Sequence, residues 1–248
     1  MITVTQFPTQ DELIDAAAHD CAQVIAHIQK SHGGRHRDGI ARVVLTGGSN
    51  GIGMLRRLAE QVDSKGEPLI DFSRVEYFFG DERNVAVSDP ESNEGQAREA
   101  LFDAVPAPAA TIHGWQMEQL GLDDAVAAYT HTLEKFAPQG FDLHLLGMGP
   151  EGHINSLFPH TSAVAEQEAL CVAVTDSPKP PAQRGTLTLP AIARAERVWL
   201  LVSGAEKAEA AAAVVAGASP EQWPAAGAHG SAQTVLYVSE DAAGLIAE

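Results

Sequence analysis

The sequence predicts an α/β fold built on a doubly wound, mostly parallel sheet, and three observations carry that prediction. Short apolar runs rich in β-branched and aromatic residues alternate with longer helical patterns along nearly all of the 248 residues. Several runs are apolar at almost every position, as strands covered on both faces are. Glycine-rich turns follow three of them, as tight strand-to-helix connections require. The chain is 45% hydrophobic and 20% charged, the composition of a folded protein with a buried core, and its length suits one domain spanning residues 1–248.

Taken in order, Ile2–Thr5 reads as an edge strand. Thr9 then caps the first helix, and Glu12, three residues on, completes a capping box ahead of Leu13 and Ile14. Val43–Thr46 and Val75–Phe79 are strands, with helices after Asn50 and Asn93. A helix from Leu122 precedes the strands Leu143–Leu146, Val172–Thr175 and Val198–Val202. The helix after Ala205 runs through Lys207 into an alanine tract of high helix propensity, and Val235–Val238 is the last strand. Prolines 178, 180 and 181 make the 176–184 segment an ordered excursion near the surface, and 216–230 is a second loop-rich stretch.

Charge and cysteine content narrow the function. A formal charge of −17 repels nucleic acid and anionic membranes, yet leaves room for a small phosphorylated ligand held by backbone N–H groups and a few cations. The two cysteines, Cys21 and Cys171, are too far apart to suggest a zinc motif and read as buried thiols. No run approaches the roughly 18 apolar residues of a membrane span, and the first eight residues lack a basic start and a long apolar stretch. A cytoplasmic protein is the expectation; the oligomeric state is open, and a monomer is compatible with it.

In a parallel sheet ligands bind beyond the carboxyl ends of the strands, which selects three loops. The first, Gly47-Gly48-Ser49-Asn50-Gly51, has the makings of an anion cradle at a helix N-terminus, although a plain turn would use the same glycines. Two rivals share it. Thr46 to Gly53 resembles the T-G-x-x-x-G-I-G fingerprint of NAD(P)-dependent short-chain dehydrogenases, but a whole helix precedes it and the family's Tyr-x-x-x-Lys is missing. Gly47 to Gly51 also fits the G-x-S-x-G elbow of serine hydrolases, with too few strands before it. The second loop brings Asp81, Glu82 and Arg83 together; an Arg beside carboxylates suits an anionic or carbonyl-bearing ligand, and Glu82 reads as structural. The third, Gly147 to Pro159, delivers His153 after a glycine, before an expected short helix, where a general base belongs. His144 falls within a strand, and His19, His27 and His131 fall within helices. His32 and His36 lack the glutamate of a zinc-protease motif, no phosphate-binding Walker loop occurs, and water is the expected nucleophile.

These residues resemble one family. Gly47-Gly48-Ser49, Phe79 to Arg83 with Ser92-Asn93, Leu146 to Gly149, Gly152-His153, Ser156 to Pro159, Lys179 to Pro181, Arg184 to Leu189 and Leu201 to Lys207 are similar, in order, to the blocks of the 6-phosphogluconolactonases, in the glucosamine/galactosamine-6-phosphate isomerase superfamily. The resemblance implies a Rossmann-like fold of the sugar-phosphate isomerase group. It also implies hydrolysis of 6-phospho-D-glucono-1,5-lactone to 6-phospho-D-gluconate, in the oxidative branch of the pentose phosphate pathway, with no metal or cofactor. By the same resemblance His153 is the general base, Arg83 stabilises the oxyanion or orients substrate, and Asp81 holds Arg83 or the sugar hydroxyls. Arg184, Lys207 and the Gly47 to Ser49 backbone match the phosphate site, with Asn93 and Gly149 as further substrate-binding positions. Asn50-Gly51, Glu151, Ile154-Asn155 and Gly185 depart from the family's usual pattern. A glucosamine-6-phosphate deaminase, whose usual Asp-Glu-Tyr is Asp81-Glu82-Arg83 here, is the nearest alternative, followed by a non-catalytic sugar-phosphate sensor.

Overall fold

A computed structural model describes residues 2–247, so the terminal Met1 and Glu248 of the expected domain lie outside it. Seven strands form a central, wholly parallel sheet: β1 (Thr3–Phe7), β2 (Ala41–Leu45), β3 (Val75–Phe79), β5 (Ile112–His113), β6 (Leu143–Gly147), β9 (Arg197–Val202) and β10 (Gln233–Ser239). Their spatial order is β1-β10-β9-β6-β2-β3-β5, with β1 at one edge as its sequence suggested. From β2 the chain winds outward to β3 and β5, and from β6 it winds the other way to β9 and β10. The direction therefore reverses between β2 and β6, and the crevice above that switch point is where ligands bind in such sheets.

The strand expected at Val172–Thr175 forms one residue earlier and lies outside this sheet. It is β7 (Cys171–Val174) of a small antiparallel sheet, ordered β4-β8-β7, with β4 (Asp81–Arg83) and β8 (Arg184–Leu187). Asp81 to Arg83, expected as loop, thus continues beyond Gly80 as a strand, because β8 offers it a partner that local sequence cannot reveal. The register sets Arg83 opposite Arg184. Gly185, one of the departures from the family's usual pattern, lies within β8 for a packing reason. A Cβ there would lie 2.7 Å from the Trp115 indole and 2.6 Å from the Met117 methyl.

Helix α1 (Gln10–Ser31) starts where the capping motif predicts, with Thr9 Oγ1 accepting from Glu12 N at 3.2 Å. Its apolar face, including Leu13, Ala17, Cys21 and Ile25, is buried, and α1 packs against α2 (Gly48–Ala59) and strands β2, β9 and β10. Helix α2 begins at Gly48, two residues before the expected start, since Gly48 takes up a φ of +77° and Gly47 serves as cap. Short α3 (Asn93–Ala97) runs into a wide turn over Arg98–Phe102; α4 (Met117–Leu120) leads into α5 (Leu122–Phe136). Helices α6 (Ser162–Ala165), α7 (Leu189–Ile192), α8 (Ala208–Val215) and α9 (Glu240–Ala243) complete the set.

The core anchors the site. Tyr129 of α5 stacks on Trp115 with ring centroids 3.9 Å apart, and its hydroxyl accepts from Phe79 N at 2.7 Å and donates to Phe79 O at 3.0 Å. Trp115 Nε1 donates to the same carbonyl at 3.2 Å. The last residue of β3, one step before Gly80 and Asp81, is held by three hydrogen bonds to fully packed aromatics. Both cysteines are buried free thiols, and among the described residues no helix is long and apolar enough to cross a membrane.

Candidate active site

A cavity of about 160 Å³ opens above the β2/β6 switch point, and all ten residues singled out by sequence line it: Gly47, Gly48, Ser49, Asp81, Arg83, Asn93, Gly149, His153, Arg184 and Lys207. Thr46, Asn50, Gly147, Met148, Asn155 and Leu201 complete the wall. Thr46 Oγ1 accepts from Gly147 N at 3.0 Å, tying the loop after β2 to the end of β6.

His153 sits after Gly152, which adopts a φ of +76° and is covered by the Trp223 ring. The short helix expected after His153 is absent. Instead Leu157 N donates to Ile154 O at 2.9 Å in a tight turn, and the next helix is α6. The imidazole stacks on Phe158 with centroids 4.7 Å apart, and its Nδ1 edge lies over Gly149, where a Cβ would fall 2.0 Å from Nδ1. Gly149 therefore makes room for the imidazole. Glu151 Oε1 lies 3.2 Å from Nδ1 and 2.9 Å from Lys179 Nζ, and Lys179 Nζ is itself 3.4 Å from Nδ1. When Nδ1–H is donated to Glu151, the lone pair rests on Nε2. Burial and the Lys179 ammonium hold His153 below the ordinary imidazole value, while Glu151 and Asp81 pull the other way.

Asp81 does not hold Arg83 directly. Its Oδ1 accepts from Asn93 Nδ2 at 2.9 Å and its Oδ2 from Ser156 Oγ at 2.6 Å. Asn93 is the bridge, since its Oδ1 accepts from Arg83 Nη1 at 2.9 Å while Nδ2 also donates to Asp81 O at 2.9 Å. Arg83 Nη1 donates as well to Glu91 O at 2.8 Å, and its Nε stands 3.3 Å from Glu91 Oε2. Glu82 is structural, as its sequence context suggested. Its buried carboxylate accepts from the backbone N–H of Arg83, Asn93 and Glu94 and from Ser92 Oγ, seating the start of α3 and hence Asn93.

Arg184 is almost wholly buried. Its Nε donates to Pro181 O at 3.1 Å and its Nη2 to Lys179 O and Pro180 O at 3.0 and 3.2 Å, so the proline-rich segment orients the guanidinium. Nη1 makes no hydrogen bond to the described residues. Lys207 stands at the entry to α8, its pKa lowered by burial. Ser49 is exposed and its Oγ accepts from Gln10 Nε2 at 3.2 Å, with no imidazole in reach, so the hydrolase elbow has no activated nucleophile. No tyrosine lines the cavity, as dehydrogenase chemistry of the short-chain type would need. Among the described residues no group of three His, Cys, Asp or Glu is arranged to hold a metal ion.

Sequence reading missed two contributors. Asn50 binds inward, donating to Leu201 O at 3.0 Å and accepting from Ser203 Oγ at 3.0 Å, which pins the start of α2 to the end of β9. Lys179 reaches Glu151 and His153 from a segment read only as a surface excursion; its place in the Lys-Pro-Pro run was the available signal.

The family model described as glucosamine-6-phosphate isomerases/6-phosphogluconolactonase matches residues 8–237. The chain belongs to this family. It is 47% identical to the 6-phosphogluconolactonase of Mycobacterium tuberculosis over 246 residues, covering 96% of this chain and 95% of that protein. A solved 6-phosphogluconolactonase structure from Thermotoga maritima superposes with a TM-score of 0.83 at 24% identity, covering 97% of this chain and 100% of that one. A monomeric glucosamine-6-phosphate deaminase of the NagB superfamily does so at 0.81 and 23% identity, over 98% and 100%. At those identities the likeness is one of fold, which both chemistries share. The sheet is thus the expected Rossmann-like one of the sugar-phosphate isomerase group.

Proposed function

We propose that the protein hydrolyses 6-phospho-D-glucono-1,5-lactone to 6-phospho-D-gluconate, the lactone-opening step of the oxidative pentose phosphate pathway. The observation that carries this reading is the convergence of one partly buried imidazole with Arg83, Arg184 and Lys207 around a single cavity. The 6-phosphate occupies the turn Gly47 to Ser49 at the N-terminus of α2, where free N–H groups and the helix dipole favour an anion, with Arg184 Nη1 and Lys207 supplying charge. His153, oriented by Glu151, takes a proton from water as the oxygen attacks the lactone carbonyl. Arg83 stabilises the alkoxide that develops, and the imidazolium returns the proton to the ring oxygen as the C–O bond breaks. Asp81 acts through Asn93 to hold Arg83. Because both oxygens of Asp81 already accept hydrogen bonds, it is poorly placed to be the carboxylate base a deaminase requires.

The chain acts as one domain in the cytoplasm, on a small molecule and without nucleic-acid or membrane partners. The test follows freshly generated lactone with wild type, His153→Ala and no protein, subtracting spontaneous opening. Acceleration by wild type alone is expected, with Arg184→Ala mainly raising KM. Wild-type decay no faster than the blank overturns the reading.

A further inference from the structure

Five buried side-chain polar atoms make no hydrogen bond among the described residues: Arg83 Nε, which is ion-paired with Glu91, both ring nitrogens of His144, and the amide nitrogen and oxygen of Asn155. Natural structures rarely leave such groups unpaired, because a buried donor or acceptor forfeits its hydration with nothing in return. Position separates these cases. His144 lies within β6 and lines no part of the cavity, whereas Arg83 and Asn155 both line it. Arg83 already has an assigned task; Asn155 has none.

Asn155 is held in a fixed place. Its backbone adopts a φ of +48°, a conformation Asn tolerates better than most residues, within the turn closed by Ile154 and Leu157. The next residue clamps it from two sides, Ser156 N donating to Thr186 Oγ1 at 3.1 Å and Ser156 Oγ to Asp81 Oδ2 at 2.6 Å. The residue is 8% exposed, and its amide lies against Gly80, where a Cβ would come within 2.3 Å of Oδ1. That contact sets the carboxamide against Gly80, the residue before Asp81, and the turn it sits in begins directly after His153. The last torsion of an Asn side chain is soft, so a small rotation turns either amide group to a bound molecule.

We propose that Asn155 is a specificity-determining residue, its carboxamide pairing with a ring hydroxyl of the bound lactone, the one adjacent to the carbonyl carbon. A hydroxyl both accepts and donates, so one such group satisfies the Nδ2 donor and the Oδ1 acceptor together. In the lactonase reading His153 stands at the carbonyl carbon, and Asn155, two residues on in the chain, lines the same cavity, so a rotation of its buried amide brings it toward the neighbouring ring position. This assignment rests on the lactonase reading above. Its consequence is selectivity: a ligand lacking that hydroxyl leaves the buried amide unpaired.

The test compares 6-phosphogluconolactone with its 2-deoxy analogue, each generated in place by enzymatic oxidation of the corresponding hexose 6-phosphate, on wild type, Asn155→Ala and Asn155→Gly. The glycine variant suits the positive φ, so backbone strain from alanine is separated from loss of the amide. Wild type is expected to prefer the hydroxylated lactone in kcat/KM by about tenfold or more. Both variants should lose that preference by slowing on the hydroxylated substrate while keeping their rate on the deoxy one. Variants that retain the preference, or slow equally on both lactones, overturn the assignment. Wild type inactive on both lactones overturns the lactonase reading and this inference with it, a pattern distinct from either of those.

Discussion

Glu151 faces His153 edge-on, Oε1 to Nδ1 at 3.2 Å. Lys179 closes the triangle at 2.9 Å from that carboxylate and 3.4 Å from the imidazole. The charges facing His153, Lys179 on one hand and Glu151 and Asp81 on the other, make its titration adjustable in both directions. In the proposed mechanism His153 acts as a base in its neutral form, so a lowered pKa should keep kcat/KM up as pH falls below the ordinary 6.5, with activity lost on passing through the lowered value. Removing the cation in Lys179→Met should move this acid limb to higher pH, and Lys179→Arg should restore it. Glu151→Gln should move the limb to lower pH while kcat drops, because the carboxylate orienting the ring is gone. A blank-corrected pH–rate profile reads all three, and a limb unmoved in Lys179→Met would remove Lys179 from this role.

His144 should make the fold sensitive to acid. Burial lowers its pKa from 6.5 to about 3, so the folded state carries it neutral while the unfolded chain binds a proton below 6.5. Stability from this group is complete above that pH and is lost as pH falls toward 3, at about 1.4 kcal/mol per unit at the steepest. Denaturant unfolding of wild type and His144→Leu between pH 7 and about 4 should show a shallower slope in the variant by roughly that amount. Parallel slopes would contradict the account.

Asn93 should matter to turnover through Arg83 and Asp81 and not through its own contact with the reacting atoms. Asn93→Leu leaves Asp81 Oδ1 and Arg83 Nη1 each short of a partner. Hydrogen bonds to charged groups contribute about 1.5–3 kcal/mol, so kcat/KM should fall roughly 10- to 150-fold. Steady-state kinetics with kcat and KM resolved would check this, and a change confined to KM would instead favour a binding role.

Gly149→Ala should disable the base without unfolding the protein. The added methyl would meet the imidazole at 2.0 Å, in a position where φ is not the obstacle, so the ring must move. A displacement of about 1 Å in a catalytic group costs on the order of a hundredfold in kcat. Circular dichroism should stay unchanged while turnover falls, and full activity in this variant would show that the ring can occupy another productive position.

Most of the fold was legible because its signals are local. Alternating apolar runs gave six of the seven strands of the central sheet to within two residues at each end, and Thr9 with Glu12 marked the start of α1. The antiparallel sheet was not legible, since Asp81 to Arg83 becomes a strand only when Arg184 to Leu187 lies beside it, a pairing no short-range pattern encodes. In the site, His153 and Arg83 were singled out by type and by their place at strand ends, and the cavity gathers all ten candidate residues. What sequence left open was who touches whom. The Asn93 bridge, the inward-binding Asn50 and the approach of Lys179 to Glu151 depend on side-chain direction, which spacing does not fix.

The pairing of Arg83 with Arg184 across the small sheet joins positions on the order of a hundred residues apart in the chain. The pairing of β2 with β6 closes a loop of similar length, but the contact between Arg83 and Arg184 is made outside the large sheet, in the small antiparallel one. A chain that had assembled β2, β3 and β6 would already present His153 at a strand end, yet would lack the second guanidinium in register. Recovery of turnover during refolding should therefore lag behind recovery of helical signal, making the enzyme its own reporter of when the small antiparallel sheet forms.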